Sequence, residues 1–213
     1  MVNDPLRKVD ALLFDKDGTL FEFHATWGAW AIGLIDVLAE NDTALRRDLA
    51  DVMHFDLTEA RFRPTSPFIA CTNREAAECV SQVISDRDIA ELEAVLTQQA
   101  AAAPLTPSVP LAPLLDGLLT QGLVLGVMTN DSEEAAHAHL KSAGITGHFH
   151  FVAGFDSGYG AKPDPDPLLA FADTAGLAPS RVAMVGDSTH DMVAARAAGM
   201  QTLAVLTGIA TET

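Results

Sequence analysis

Val9-Asp10-Ala11-Leu12-Leu13-Phe14-Asp15-Lys16-Asp17-Gly18-Thr19-Leu20 is the stretch on which the reading of this chain turns. Its apolar run, Ala11 to Phe14, has the length and composition of a fully buried strand. The run ends on two carboxylates one residue apart, and Asp17-Gly18 supplies a turn. In a parallel sheet, ligands bind beyond the carboxyl ends of the strands, which is where Asp15 and Asp17 fall. Taken alone, the same four residues read equally well as a polar strand-to-loop junction. Three later stretches decide between these readings.

Beyond Leu20 the pattern turns helical. Trp27, Trp30, Ala31, Leu34, Ile35 and Leu38 share one face of a helix. Leu45, Leu49, Val52 and Met53 repeat the pattern, and Ala76, Val80, Val83 and Ile84 mark a third helix. A fourth starts at Asp88, with Glu91 as its capping-box partner, and runs through Leu92 and Leu96 to about Ala102. No strand pattern occurs between Trp27 and Ala103, and the tryptophans read as core packing. Pro104, Pro107, Pro110 and Pro113 then forbid a continuous helix and mark a boundary.

After that boundary helices and strands alternate. Helices are expected at 111–120, 132–143, 167–175 and 191–198, and strands at 123–128, 150–153, 182–185 and 202–206. Gly144 and Gly199 stand where helix-ending residues belong. Alternation of this kind predicts a parallel sheet with helices on both faces. The fold class is therefore α/β: a Rossmann-like core built from residues 1–20 and 105–213, interrupted by an all-helical cap over residues 21–104.

Composition narrows the function. With 213 residues and 48% apolar content the chain has ample material for a core. Thirteen lysines and arginines against 29 carboxylates give a net charge of −16, which argues against nucleic acid and anionic membranes as partners. No apolar run reaches the ~20 residues of a membrane span, and Met1 to Asp10 lack the apolar segment of a signal peptide. Cys71 and Cys79 form neither a Cys-x-x-Cys pair nor a zinc framework. A cytoplasmic protein with reduced thiols is expected.

Three strands end in polar residues of particular kinds. Val124–Met128 runs into Thr129-Asn130-Asp131 just before a helix N-terminus, where backbone N–H groups favour an anion. Val182–Val185 runs into Gly186-Asp187-Ser188-Thr189-His190-Asp191, two carboxylates four apart. Between them Gly160-Ala161-Lys162-Pro163-Asp164 holds a lysine in a Gly/Pro loop. In a parallel sheet these groups gather at one edge with Asp15 and Asp17. So many carboxylates in one crevice repel one another unless a cation intervenes, and an all-oxygen set without His or Cys suits Mg²⁺. Asp15 is the expected nucleophile, forming an aspartyl-phosphate. Asp17 is expected to protonate the leaving alkoxide and then to deprotonate water. Lys162 would offset charge on the phosphoryl group, and Thr129 with its neighbouring amides would hold a phosphate oxygen.

Asp15-Lys16-Asp17-Gly18-Thr19-Leu20, Thr129-Asn130, Lys162-Pro163 and Gly186-Asp187-Ser188-Thr189-His190-Asp191 resemble the four ordered motifs of the haloacid dehalogenase superfamily. Gly154–Met200 looks most like its phosphoglycolate phosphatase branch, with Lys-Pro-Asp-Pro, Val-Gly-Asp-Ser and Ala-Ala-Arg-Ala-Ala-Gly in order. The resemblance covers the core, and the superfamily's helical cap enters where the insertion lies here. It implies catalysis by Asp15, Asp17 and Lys162, with substrate held by Thr129, Asn130 and Gly18. It also implies Mg²⁺ bound by Asp15, the Asp17 carbonyl and Asp187, with Asp191 a ligand or a partner of the ligands. The substrate would be a small phosphorylated metabolite, with 2-phosphoglycolate suggested by the branch, and the protein a monomer or homodimer.

Lys16 departs from the apolar residue more usual at that place, and strand alternation turns it away from Asp15, so a structural ion pair is expected. The chain ends at Thr213, soon after its last strand, which suggests an edge left uncovered or paired in a dimer. Arg61 and Arg63 read as a solvated surface pair rather than a second anion site. The alternatives are a phosphomutase with the same motifs, a dehalogenase and a non-catalytic phosphate- or Mg²⁺-binding module. A halide leaves without a proton, so Asp17 argues against the dehalogenase, and Asp17 together with a cap argues against the module. EF-hand, P-loop and Gly-x-Ser-x-Gly readings fail on their required residues.

Overall fold

Ala11–Phe14 forms strand β1, as its unbroken apolar run dictates. The computed structural model describes residues 9–69 and 71–209, and the readings made above for residues 1–8 and 210–213 lie outside them. The insertion follows as α1 (Phe23–Ala39), α2 (Thr43–Val52), β2 (Phe55–Asp56), β3 (Arg61–Phe62), α3 (Asn73–Val80) and α4 (Ile89–Ala101). The chain then continues through α5 (Leu111–Thr120), β4 (Val124–Met128), α6 (Glu133–Ser142), β5 (Phe151–Ala153), α7 (Asp166–Ala175), β6 (Val182–Gly186), α8 (Thr189–Ala197) and β7 (Gln201–Ala204).

The five longer strands make a parallel sheet in the order β5-β4-β1-β6-β7. Alternate side chains of β1 point to opposite faces. Leu13, with Met128 and Met184, packs under Phe171 of α7 and Ala194 and Ala195 of α8. Phe14, with Leu125 and Val127, packs under Leu115 of α5 and Leu140 of α6. Phe14 lies level with Val127 of β4 and Val185 of β6, so Asp15, Thr129 and Asp187 emerge along one edge. β1 is the strand from which the order runs both ways, the position where doubly wound sheets open a crevice.

The insertion has its own core, in which Leu34 and Ile35 of α1 meet Leu49, Val80, Leu92 and Leu96. Besides the four helices it contains a ribbon absent from the sequence reading. In that ribbon Phe55 opposes Phe62 and Asp56 opposes Arg61. Two-residue strands are too short to show a period of two. Phe55 and Phe62 are buried, and Asp56 Oδ1 accepts from the N–H groups of Thr58 and Glu59 at 2.8 and 3.0 Å to fold the turn between them. The two crossings into the insertion run side by side. Glu22 N–H donates to the Thr106 carbonyl at 2.8 Å, and Ser108 N–H to that of Leu20 at 3.0 Å.

Candidate active site

Asp15 stands at the carboxyl end of β1, where the backbone N–H still bonds the Val185 carbonyl at 2.8 Å. Its Oδ1 accepts from the Lys16 N–H at 2.7 Å and from Lys162 Nζ at 2.8 Å. Oδ2 accepts no hydrogen bond among the described residues, and Asp15 lines the cavity between sheet and insertion. Burial, reinforced by the charges of Asp191, Asp187 and Asp17, pushes the Asp15 carboxyl well above the usual range despite Lys162 beside it.

Lys162 arrives on the loop before α7 and is buried. Its ammonium donates to Asp15, to Asp191 Oδ1 at 2.7 Å and to the Met128 carbonyl at 3.0 Å, which accounts for all three donors. Burial opposes its charge, but Asp15 and Asp191 outweigh that and hold the ammonium above its ordinary pKa. The Asn130 side chain clasps the Lys162 main chain, donating to its carbonyl at 2.8 Å and accepting from its N–H at 2.9 Å. Asn130 thereby places the lysine. Thr129 accepts from Asp131 N–H at 3.1 Å, which leaves its hydroxyl proton able to donate into the cavity it lines.

Asp187 follows β6 and lines the same cavity, with Oδ2 accepting from Ile209 N–H at 2.9 Å. Burial pushes its carboxyl up to about 6. Gly18, at φ +83°, is packed so tightly on Asp187 that a Cβ there would collide with the carboxylate. Asp191 is completely buried. Its Oδ1 takes Lys162, and its Oδ2 accepts from Ser188 N–H at 3.0 Å and Ser188 Oγ at 2.6 Å, closing the capping box of α8. Burial opposes ionisation of Asp191, but Lys162 and Ser188 overcome it and hold the carboxyl below the usual range.

Oxygen atoms of Asp15, Asp187 and Asp191 all lie within 4.8 Å of one another. A buried all-carboxylate cluster, with two of its members held above their ordinary pKa, fits a hard divalent cation such as Mg²⁺.

Lys16 does make an ion pair, and it makes it inside the site. Its fully buried ammonium lies 2.9 and 2.7 Å from the two Asp17 carboxylate oxygens and 3.1 Å from Asp131 Oδ2. It also donates to His139 Nδ1 at 2.9 Å and sits 5.3 Å from the centre of the Trp27 ring. His139 Nε2 is 2.8 Å from the Ala100 carbonyl at the end of α4, which fixes the Nε2–H tautomer. Burial, with Lys16 adding to it, lowers the His139 pKa and keeps the ring neutral. Neither Asp131 nor His139 stood out in the sequence as part of the site. The available signal was that Ala135, Ala136, His139 and Leu140 share the buried face of α6.

Trp27 and Trp30 belong to the insertion core and also line the cavity. Arg61 and Arg63 are exposed and do not line it.

A doubly wound sheet that gathers aspartates and a buried lysine at its carboxyl edge, under an insertion, places them where such sheets bind ligands. A family model described as haloacid dehalogenase-like hydrolase matches residues 9–199. The phosphoglycolate phosphatase of Rhodospirillum rubrum is 32% identical over 202 residues, 95% of this chain and 81% of that one. That of Escherichia coli K12 is 38% identical over 97 residues, 46% of this chain, and the match spans only 38% of the relative's length. A haloacid dehalogenase-like hydrolase of Bacteroides fragilis superposes with a TM-score of 0.70 at 22% identity, over 96% of this chain and 90% of that one. The chain belongs to the haloacid dehalogenase-like hydrolase family.

Proposed function

We propose that this protein is a Mg²⁺-dependent phosphatase of small phosphomonoesters and acts through Asp15. The observation that carries the reading is the state of that carboxylate: buried at the cavity, with Oδ1 held by Lys162 and the Lys16 N–H and no hydrogen bond to Oδ2 among the described residues. Oδ2 attacks phosphorus, the phosphorus–oxygen bond to the alcohol breaks, and the departing alkoxide takes a proton from Asp17. In the second half Asp17 takes a proton from water as the water oxygen attacks phosphorus, releasing inorganic phosphate and restoring Asp15. The Thr129 hydroxyl donates to a phosphoryl oxygen. Lys162 fixes the attacking carboxylate and balances its charge, and Asn130 and Asp191 hold Lys162.

Mg²⁺ would be held by Asp15, the Asp17 carbonyl and Asp187. When bound it supplies positive charge opposite the phosphoryl oxygens. Both Asp191 oxygens are engaged by Lys162 and Ser188, which favours a supporting place for that residue behind the ligands. The partner is a small phosphorylated metabolite, and a cytoplasmic setting accords with this chemistry. No helix among the described residues is long and apolar enough to cross a membrane.

The test is phosphate release from a panel of small phosphate esters, with Mg²⁺ and with EDTA. Release that requires Mg²⁺ is expected. Release unaffected by EDTA would overturn the metal dependence, and none from any ester would overturn the phosphatase reading.

A further inference from the structure

In an in-line displacement the alcohol leaves from the side of phosphorus opposite the attacking oxygen. Asp15 attacks from the sheet edge, so the alcohol points to the wall supplied by the insertion. Phe23, Trp27, Trp30, Phe62, Phe68 and Ile69 make most of that wall. The rings support one another: Phe62 and Phe68 stack with centroids 5.9 Å apart, and Trp27 meets Trp30 edge-on at 5.0 Å. Two polar groups beside them, Asn73 and Cys71, carry no charge. Asn73 Nδ2 donates to Thr97 and Asp131, and burial pushes the Cys71 thiol up to about 12, so it stays protonated.

Among the described residues no arginine lines this wall, and the one lysine near it, Lys16, lies 5.3 Å from the centre of the Trp27 ring with its ammonium taken up by other groups. The insertion has six arginines and no lysine. Arg46 pairs with Asp36, Arg74 with Glu78 and Glu93, and Arg87 with Glu40. Arg47, Arg61 and Arg63 are exposed, and none of the six lines the cavity. On the sheet side Lys16 is enclosed by Asp17, Asp131 and His139, and Lys162 has all three donors engaged. A second carboxylate or phosphate on the alcohol would therefore lose its water against aromatic rings with no partner, and the nearest charges would be other carboxylates. An apolar or aromatic group there would only shed water.

Resting on the phosphatase reading above, we propose that the natural substrate is a phosphomonoester of a neutral, apolar alcohol with an alkyl or single-ring aryl body, and that esters carrying a second anionic group are disfavoured. The inference separates this chain from the reaction named for its Rhodospirillum rubrum relative, since 2-phosphoglycolate carries a carboxylate.

The experiment compares kcat/KM for benzyl phosphate, propyl phosphate and 2-phosphoglycolate in Mg²⁺. All three are esters of primary alcohols, so differences in intrinsic leaving-group reactivity are small. Benzyl phosphate is expected to exceed 2-phosphoglycolate by about tenfold or more, the scale on which apolar pockets discriminate. Ile69→Arg places a cation on the wall and should move the ratio towards 2-phosphoglycolate. Because the ratio is taken on one preparation, it does not depend on the fraction of protein folded. A ratio near one, or one favouring 2-phosphoglycolate in the unaltered protein, overturns the inference and leaves the phosphatase reading standing. No turnover of any of the three esters overturns that reading, and the inference with it.

Discussion

Lys16 shows how one side chain can decide a neighbourhood. Aspartates 17 and 131 approach each other at the foot of the insertion, and the buried ammonium of Lys16 lies between them, 2.7 Å from one and 3.1 Å from the other. Burial alone would lower the lysine pKa, but Asp17 and Asp131 more than reverse that, so the group is held above its ordinary value. Removing one partner of a buried pair leaves the other uncompensated. Lys16→Met should therefore lower the free energy of unfolding by about 3–5 kcal/mol in urea titration. Adding Asp131→Asn to that variant should recover part of the loss, whereas full stability in the single variant would show that the network contributes nothing. The identity of Lys16 was plain in the sequence, and strand alternation turned it away from Asp15. Its partner His139 lies 123 positions away, on another element, and no local pattern links the two.

At the scale of elements, the parts with a period or an end signal were legible. The apolar runs of β1, β4 and β6 and the amphipathic faces of α1 and α4 announce themselves. The stretches that build the candidate site were legible for a related reason: most are short polar stretches at the end of a buried strand, and a parallel sheet places such ends together. The β2–β3 ribbon was not legible because its strands hold two residues each. At the start of α4, Asp88 caps through Ala90 N–H at 3.1 Å, a one-sided bond in place of the reciprocal box that the Asp88/Glu91 spacing suggested. Asp42 caps α2 from an exposed position, accepting from Ala44 and Leu45 N–H at 2.8 and 3.1 Å. Asp42→Ala should cost about 1 kcal/mol of stability and leave kcat unchanged, because the cap touches nothing in the cavity. A large loss of activity would mean that α2 has a part in the site.

Across the whole molecule the sheet edge and the insertion depend on each other electrostatically. Without a cation the raised carboxyls of Asp15 and Asp187 oppose the fold at neutral pH, whereas Asp191, held below its usual range, does not. The Asp187 carboxyl is held at about 6, above its unfolded value, so the stability it contributes is fully present below about pH 4 and is lost as pH rises through about 6. Asp15, also raised, adds in the same direction. On the proposed reading, Mg²⁺ would bind the ionised carboxylates and compete with protons for them. The melting temperature should therefore rise on adding Mg²⁺ at about pH 7.5 and much less at about pH 5, where protons compete for Asp15 and Asp187. Calorimetry at the two pH values checks this, and an equal rise at both would place the cation elsewhere. The insertion is tied to the sheet by His139 to Ala100 and by Asn73 to Asp131 at 3.3 Å, contacts that bring its aromatic wall over Asp15. Such contacts between distant side chains are the part of the site that only the folded chain displays.

The covalent role of Asp15 is tested most directly by acid quenching during turnover of a radiolabelled phosphate ester in Mg²⁺. Label should remain on the unaltered protein, map to the peptide containing Asp15, and be absent from Asp15→Asn, which should also release no phosphate. Phosphate release by Asp15→Asn at a substantial rate, or label carried on a different residue, would contradict the account.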